Sequence, residues 1–233
     1  MKNLCIIPAR GGSKRIPRKN IKNFLGKPII AYSVEAALNS ELFEEVMVST
    51  EDTEIAEIAK KYGAGVPFLR SPETADDYAT ISDVIEEVVE KYQSEYNKSF
   101  DYVCCLFATA PLVTTNDLKN AYEKLVSSGF DGIFPVVPFP APVQRALHFQ
   151  GEKITMIHPE NLNKRSQDLP PAYYDAGQYY WIKYEAFLRE KKLWTNNVTA
   201  IVIDELKAQD IDNPLDWKLA ELKYKLLRNA ENI

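Results

Sequence analysis

Short apolar runs of strand length alternate with longer amphipathic segments along most of the chain, and no other feature of the sequence restricts the fold as much. Residues 4–7, 46–48, 66–69, 102–107, 133–137, 179–182 and 200–203 read as strands. Their runs are continuously apolar, as in strands covered on both faces. Helical patterns lie between them. Pro28 opens one with Ile29, Ile30, Ser33, Val34 and Ala37 on a single face. Asp52 or Thr53 caps a second, carrying Ile55, Ile58, Ala59 and Tyr62, and Gly63 ends it. From Thr80 to Tyr96, Val84, Val88 and Tyr92 recur every four residues beside Ile85 and Val89. Thr115 caps a further helix, another covers 184–191, and Asn213 with Pro214 opens the last, along Leu215, Leu219, Leu222 and Leu226. This repetition predicts an α/β fold, a three-layer α/β/α sandwich with a mostly parallel sheet. Residues 138–175, which begin among prolines, break the alternation. They are expected to protrude as a small insertion from a single domain spanning 1–233.

Composition narrows the function classes. The 233 residues are 45% hydrophobic and 26% charged, and a chain of this size buries roughly 70–75% of its unfolded surface without staples. A net charge of −5 opposes broad electrostatic binding to nucleic acid or to an acidic membrane. No apolar run approaches the length of about 20 residues needed to span a bilayer. The first apolar run turns basic at once, unlike a secretory leader, and a cytoplasmic location is expected. Cys5, Cys104 and Cys105 sit in apolar runs and read as reduced core thiols. Neighbours on a strand, Cys104 and Cys105 point to opposite faces. His148 and His158 lie far from any ligand-spaced partner, and no nucleophile–base–acid order stands out.

In parallel sheets of this kind ligands bind at the carboxyl ends of the strands, so the loops there matter most. The first reads Pro8-Ala9-Arg10-Gly11-Gly12-Ser13-Lys14-Arg15-Ile16-Pro17-Arg18-Lys19-Asn20. Gly11 and Gly12 let backbone N–H groups approach an anion, the basic side chains concentrate positive charge, and Ser13 and Asn20 add neutral donors. Such a loop suits a polyphosphate, yet it matches neither the dinucleotide pattern GxGxxG nor the P-loop. The plainer reading is a solvated basic loop. A second constellation is Asp210-Ile211-Asp212, whose carboxylates point the same way on an extended chain and suit one hard cation. Capping of the last helix by Asp212 or Asn213 is the plainer reading there, but it leaves Asp210 without a role.

Together, Arg10-x-x-Ser13-Lys14-x-x-x-x-Lys19-Asn20 after the first strand and Asp210-x-Asp212 before the final helix resemble the acidic-sugar cytidylyltransferases, over essentially the whole chain. That family makes CMP-sialic acid, CMP-3-deoxy-manno-octulosonate and CMP-pseudaminic acid. The resemblance implies a nucleotide-diphospho-sugar transferase fold, a homodimer with 138–175 at its contact, and CTP and an acidic nine-carbon sugar as substrates. It also implies Mg²⁺, for which Mn²⁺ can substitute, on Asp210 and Asp212. Arg10, Ser13, Lys19 and Asn20 would then hold phosphates beside Gly11, Arg70 would face cytosine, and Thr80 would add a hydroxyl. Arg10, Lys19 and Asp210 become the catalytic candidates.

Departures from the sialic acid pattern point to one branch. Phe107 stands where those enzymes tend to carry Gln, and Val113 where they carry Arg. The runs 164–169 and 175–178, the latter ending in Gln178, resemble the pseudaminic acid branch, with legionaminic and sialic acid as alternatives. Phe107 and Tyr173, Tyr174, Tyr179 and Tyr180 suit a less polar sugar, although core packing is the plainer reading of Tyr180 and Trp181. Arg145 and Arg165 are candidates for gripping the sugar carboxylate. Two rival readings stand beside this one. A non-catalytic nucleotide- or RNA-binding module would use the basic loop alone, and a uridylyl- or guanylyltransferase would differ in nucleotide preference.

Overall fold

Side-chain parity along β1 (Asn3–Pro8) divides the molecule into layers. Cys5 and Ile7 enter one apolar cluster, Leu4 and Ile6 the other, as a period of two requires. The computed structural model describes residues 1–230. After β1 the chain forms a small ribbon, β2 (Asn23–Phe24) and β3 (Lys27–Pro28), then α1 (Ile29–Ser40), β4 (Glu45–Ser49), α2 (Thr53–Lys61), a one-turn α3 (Pro72–Ala75) and α4 (Ile81–Tyr96). It continues through β5 (Tyr102–Leu106), α5 (Thr115–Val126) and β6 (Gly132–Pro138) into a hairpin, β7 (Leu147–Gln150) and β8 (Lys153–Met156). It returns through β9 (Tyr173–Asp175) to β10 (Tyr179–Lys183), α6 (Tyr184–Glu190), β11 (Val198–Val202) and α7 (Pro214–Ala230).

The main sheet is seven-stranded, in the order β11-β6-β10-β5-β1-β4, with β9 pairing off β6. β4, β1, β5, β6 and β11 share one direction, whereas β10 runs antiparallel between β5 and β6 and β9 runs antiparallel to β6. On one face α1, α2 and α5 bury Val34, Ile55 and Leu118 against the sheet. On the other, α4 and α6 bury Val88 and Phe187. The expected three-layer sandwich is therefore present. Cys104 and Cys105 fall on opposite faces, and all three cysteines are free and buried. Among the described residues no helix is long and apolar enough to cross a membrane.

Several elements differ from the sequence expectation. Residues 66–69 do not form a strand. Gly65 makes one parallel bridge to Met47, and Pro67 then lacks the N–H that would extend the ladder along β4. Between β1 and α1 the chain holds a 3₁₀ turn at Lys19–Ile21 and the β2–β3 ribbon, turned at Leu25 and Gly26 with φ of 48° and 109°, neither of which the sequence pattern showed. Pro28 ends β3 and precedes α1 rather than opening it. Thr114, one residue before Thr115, caps α5. The last residues of the 138–175 segment return to the main sheet as β9, so only the hairpin and its flanking turns stand outside it.

Candidate active site

β1 and β5 are neighbours, and the chain leaves them toward opposite edges of the sheet, which opens a crevice at their carboxyl ends. The basic loop leaves β1 there, and its shape comes from a few anchors. Ile16 is buried with Phe24, Ile29, Tyr32, Ile211 and Trp217 in one cluster. That cluster clamps the loop to the segment bearing Asp210 and Asp212, because Ile211 is fully buried between the two carboxylates. Asn20 donates from Nδ2 to the Arg10 carbonyl at 2.8 Å, folding the loop on itself. Arg18, with a left-handed φ of 56°, ion-pairs with Asp52 and Glu54 and ties the loop to α2. Gly11 runs so close to this pair that a Cβ would lie 2.6 Å from Asp52 Oδ2, and its N–H donates to Glu51 Oε1 at 2.7 Å.

A cleft of about 650 Å³ opens above this loop, and it brings together Arg10, Ser13, Lys19, Asn20, Arg70, Phe107, Asp210 and Asp212. Lys19 donates from Nζ to the Ile211 carbonyl at 2.7 Å and stands 4.0 Å from Asp212. Burial lowers the Lys19 pKa, and the charges of Asp212 and Asp210 work against that shift. Asp210 titrates above the usual aspartate range, first through desolvation and then through the like charge of Asp212. Of the two capping candidates Asn213 is the cap, so capping uses neither Asp210 nor Asp212. Asn213 Oδ1 accepts from the N–H groups of Leu215 and Asp216 and so caps α7, while Asp212 Oδ1 accepts from Arg15 at 2.7 Å.

Arg70 is only 7% exposed, and its guanidinium is fixed by two bonds to Ser49, Nε to Oγ at 3.0 Å and Nη2 to the carbonyl at 2.6 Å. So held, Arg70 lines the cleft. Phe107 follows β5, and its ring lies 5.8 Å from that of Tyr180. Tyr180 donates to Asp175, so the aromatic wall is backed by a satisfied hydroxyl.

Other candidates lie elsewhere. Thr80 caps α4 and exchanges hydrogen bonds with Asp83, and it is not among the cleft-lining residues. Gly11 lines the adjoining hollow rather than the main cleft. Gln178 is buried and donates to the Lys207 carbonyl. Arg145 donates to the carbonyls of Leu162 and Lys164 at 3.1 and 2.5 Å, which holds the insertion together. Arg165 pairs with Asp168 at 2.7 Å. The structure adds Asp76 and Asp77 to the cleft, where Asp77 pairs with Arg10 and Lys14. Both lie in the short loop between α3 and α4, and the sequence reading did not single them out.

Cations gathered at the end of β1, with two anchored carboxylates held against them, line the crevice where sheets of this kind take ligands. The chain is a nucleotidyltransferase, as its relatives show. It belongs to the cytidylyltransferase family, whose sequence model matches residues 4–223. The chain is 46% identical over 227 residues to the pseudaminic acid cytidylyltransferase of Campylobacter jejuni strain 81-176, covering 97% of each. It is 32% identical to the CMP-N,N'-diacetyllegionaminic acid synthase of Legionella pneumophila, covering 99% of each. Among solved structures it is similar to a CMP:2-keto-3-deoxy-manno-octonic acid synthetase complexed with CTP. That likeness has a TM-score of 0.69 at 15% identity and covers 98% of this chain and 100% of the other. The shared fold is that of the nucleotide-sugar transferases.

Proposed function

We propose that this enzyme transfers CMP from CTP to the anomeric hydroxyl of pseudaminic acid. The hydroxyl oxygen attacks the α-phosphorus, the bond from that phosphorus to the bridging oxygen breaks, and pyrophosphate leaves as the hydroxyl proton passes to solvent or a nearby base. The observation that carries the reading is the 46% identity, end to end, with a pseudaminic acid cytidylyltransferase. Phe107 in the cleft wall supports it, since it offers the sugar an apolar surface. Arg10 and Lys19 would bind and stabilise the departing phosphates, an electrostatic task that grows as the bond breaks. Arg70 would orient the base.

Asp210 and Asp212 fit Mg²⁺, or Mn²⁺ in its place: two hard oxygen donors, with the remaining positions left to phosphate and water. Such an ion would neutralise phosphate charge and polarise the attacking hydroxyl. The sugar carboxylate would meet the cationic side of the cleft. Arg145 and Arg165 do not line this cleft, and in this reading they would serve the sugar from the insertion of a second copy in a homodimer. The free, buried cysteines suit a reducing cytoplasm.

The test is pyrophosphate release across the four nucleoside triphosphates and across pseudaminic, legionaminic and sialic acids. CTP with pseudaminic acid should give the highest kcat/KM. Removing one hydrogen bond to a buried sugar edge changes preference by about 1–3 kcal/mol, roughly tenfold to over a hundredfold. Higher efficiency with sialic acid would overturn the sugar assignment, and a preference for another nucleotide would overturn the reaction.

A further inference from the structure

The basic loop faces an internal anion. Asp77 Oδ1 accepts from Arg10 Nη1 at 2.8 Å and Oδ2 from Lys14 Nζ at 2.5 Å, so one carboxylate bridges two cations of the loop. The backbone carbonyl of Asp76 adds a longer contact to Arg10 Nη1 at 3.3 Å. We infer that Asp77 is a stand-in for the outer phosphates of the nucleotide, holding Arg10 and Lys14 while the cleft is empty, yielding them to CTP, and retaking them as pyrophosphate leaves. The inference rests on the reading of this cleft as the CTP site.

Local structure gives Asp77 no other task. The turn before α4 is built by Asp76, whose Oδ1 accepts the N–H groups of Tyr78 and Ala79 at 2.8 and 2.7 Å. The helix is capped by Thr80 and Asp83, and the base of the segment is held by Glu87 through Ser71 and Thr74. Among the described residues the Asp77 carboxylate bonds only the two loop cations. The Lys14 hydrogen bond, with Arg10 beside it, lowers its pKa below that of an ordinary aspartate. The neighbouring Tyr78 is 91% exposed, and no packing seals the tip. Exposed ion pairs exchange partners at little cost, and a triphosphate carries several charges against one on a carboxylate. Asp52, another of the carboxylates that grip the loop, differs: it also caps α2, so it cannot swing away from Arg18 without loosening a helix.

The experiment is calorimetric titration of CTP, CMP and pyrophosphate, with MgCl₂ and without sugar, into the wild type, Asp77→Asn, Lys14→Ala and Glu57→Gln. Glu57→Gln, on the exposed side of α2, makes the same change of net charge away from the cleft. Asp77→Asn should tighten CTP and pyrophosphate about three- to tenfold, less at high salt, and CMP by less than about twofold. Glu57→Gln should leave all three unchanged, and Lys14→Ala should weaken CTP and pyrophosphate. Unchanged or weaker CTP binding by Asp77→Asn overturns the inference, as does equal tightening of CMP or equal tightening by Glu57→Gln. If Lys14→Ala also leaves CTP binding unchanged, the reading of the cleft fails with it. A weakened Lys14→Ala beside an unchanged Asp77→Asn sinks the role of Asp77 alone.

Discussion

Lys19 joins the basic loop to the segment that carries Asp210 and Asp212. Its ammonium bonds the Ile211 carbonyl and borders Asp212, yet burial makes its charge costly to keep. A desolvated cation gains most when negative charge develops beside it, so its contribution should be larger in the transition state than in the bound substrate. Lys19→Ala is therefore expected to lower kcat by about 10²-fold while raising the Kd for CTP much less. Steady-state kinetics beside direct CTP titration separate the two, and a rise in KM at constant kcat would make Lys19 a simple binder. Asp212→Asn should abolish turnover with an unchanged thermal midpoint, because the substitution removes a hard-cation donor at a half-exposed position. Full activity of that variant in excess EDTA would sink the cation assignment. Both residues were legible in the sequence, since a strand-ending basic loop and an Asp-x-Asp are local patterns. Asp77 was not, because its partners lie more than sixty positions away and nothing near it in sequence shows them.

α2 carries a second kind of dependence. Asp52 caps it by accepting from the Ile55 N–H at 3.0 Å, and the same carboxylate binds Arg18 of the basic loop. The Arg18 hydrogen bond holds the Asp52 pKa down at about 2, from 3.8. A carboxyl with a depressed folded pKa stabilises the fold fully above its unfolded value and loses that contribution as pH falls toward the folded one. Asp52→Ala should cost about 1–2 kcal/mol at pH 7 by urea denaturation, and the gap should close between about pH 4 and pH 2. A gap that persists at pH 2 would mean the loss is packing rather than charge. The cap itself was visible in the sequence, as were the long helices, whose apolar spacing is strong. Element ends and short pieces were harder. Residues 66–69 look like a strand until Pro67 removes a donor, and the β2–β3 ribbon is too short to show a period.

At the scale of the whole molecule, the layered sheet followed from the alternation of runs, but strand direction did not. β10 is as apolar as its parallel neighbours and runs against them, because burial on both faces looks the same in either direction. The hairpin of β7 and β8 exposes Leu147, Phe149 and Ile154, and Phe149 is 74% exposed. We propose this cluster as the contact of the homodimer put forward above. Phe149→Asp is expected to turn a homodimer into a monomer by light scattering without lowering the thermal midpoint of the monomer. An unchanged dimer mass would place the contact elsewhere.

The shared cluster of Ile16 and Ile211 also sets an order of events during synthesis. The basic loop leaves the ribosome well before the carbonyl that receives Lys19, which lies 192 positions further along the chain. A nascent chain can assemble β1, β4 and β5 early, yet it has no complete cleft until α7 has emerged and docked Trp217 beside Ile16. For the site proposed above, a chain that stops before residue 211 would keep much of its sheet but lack both Asp212 and the carbonyl that holds Lys19.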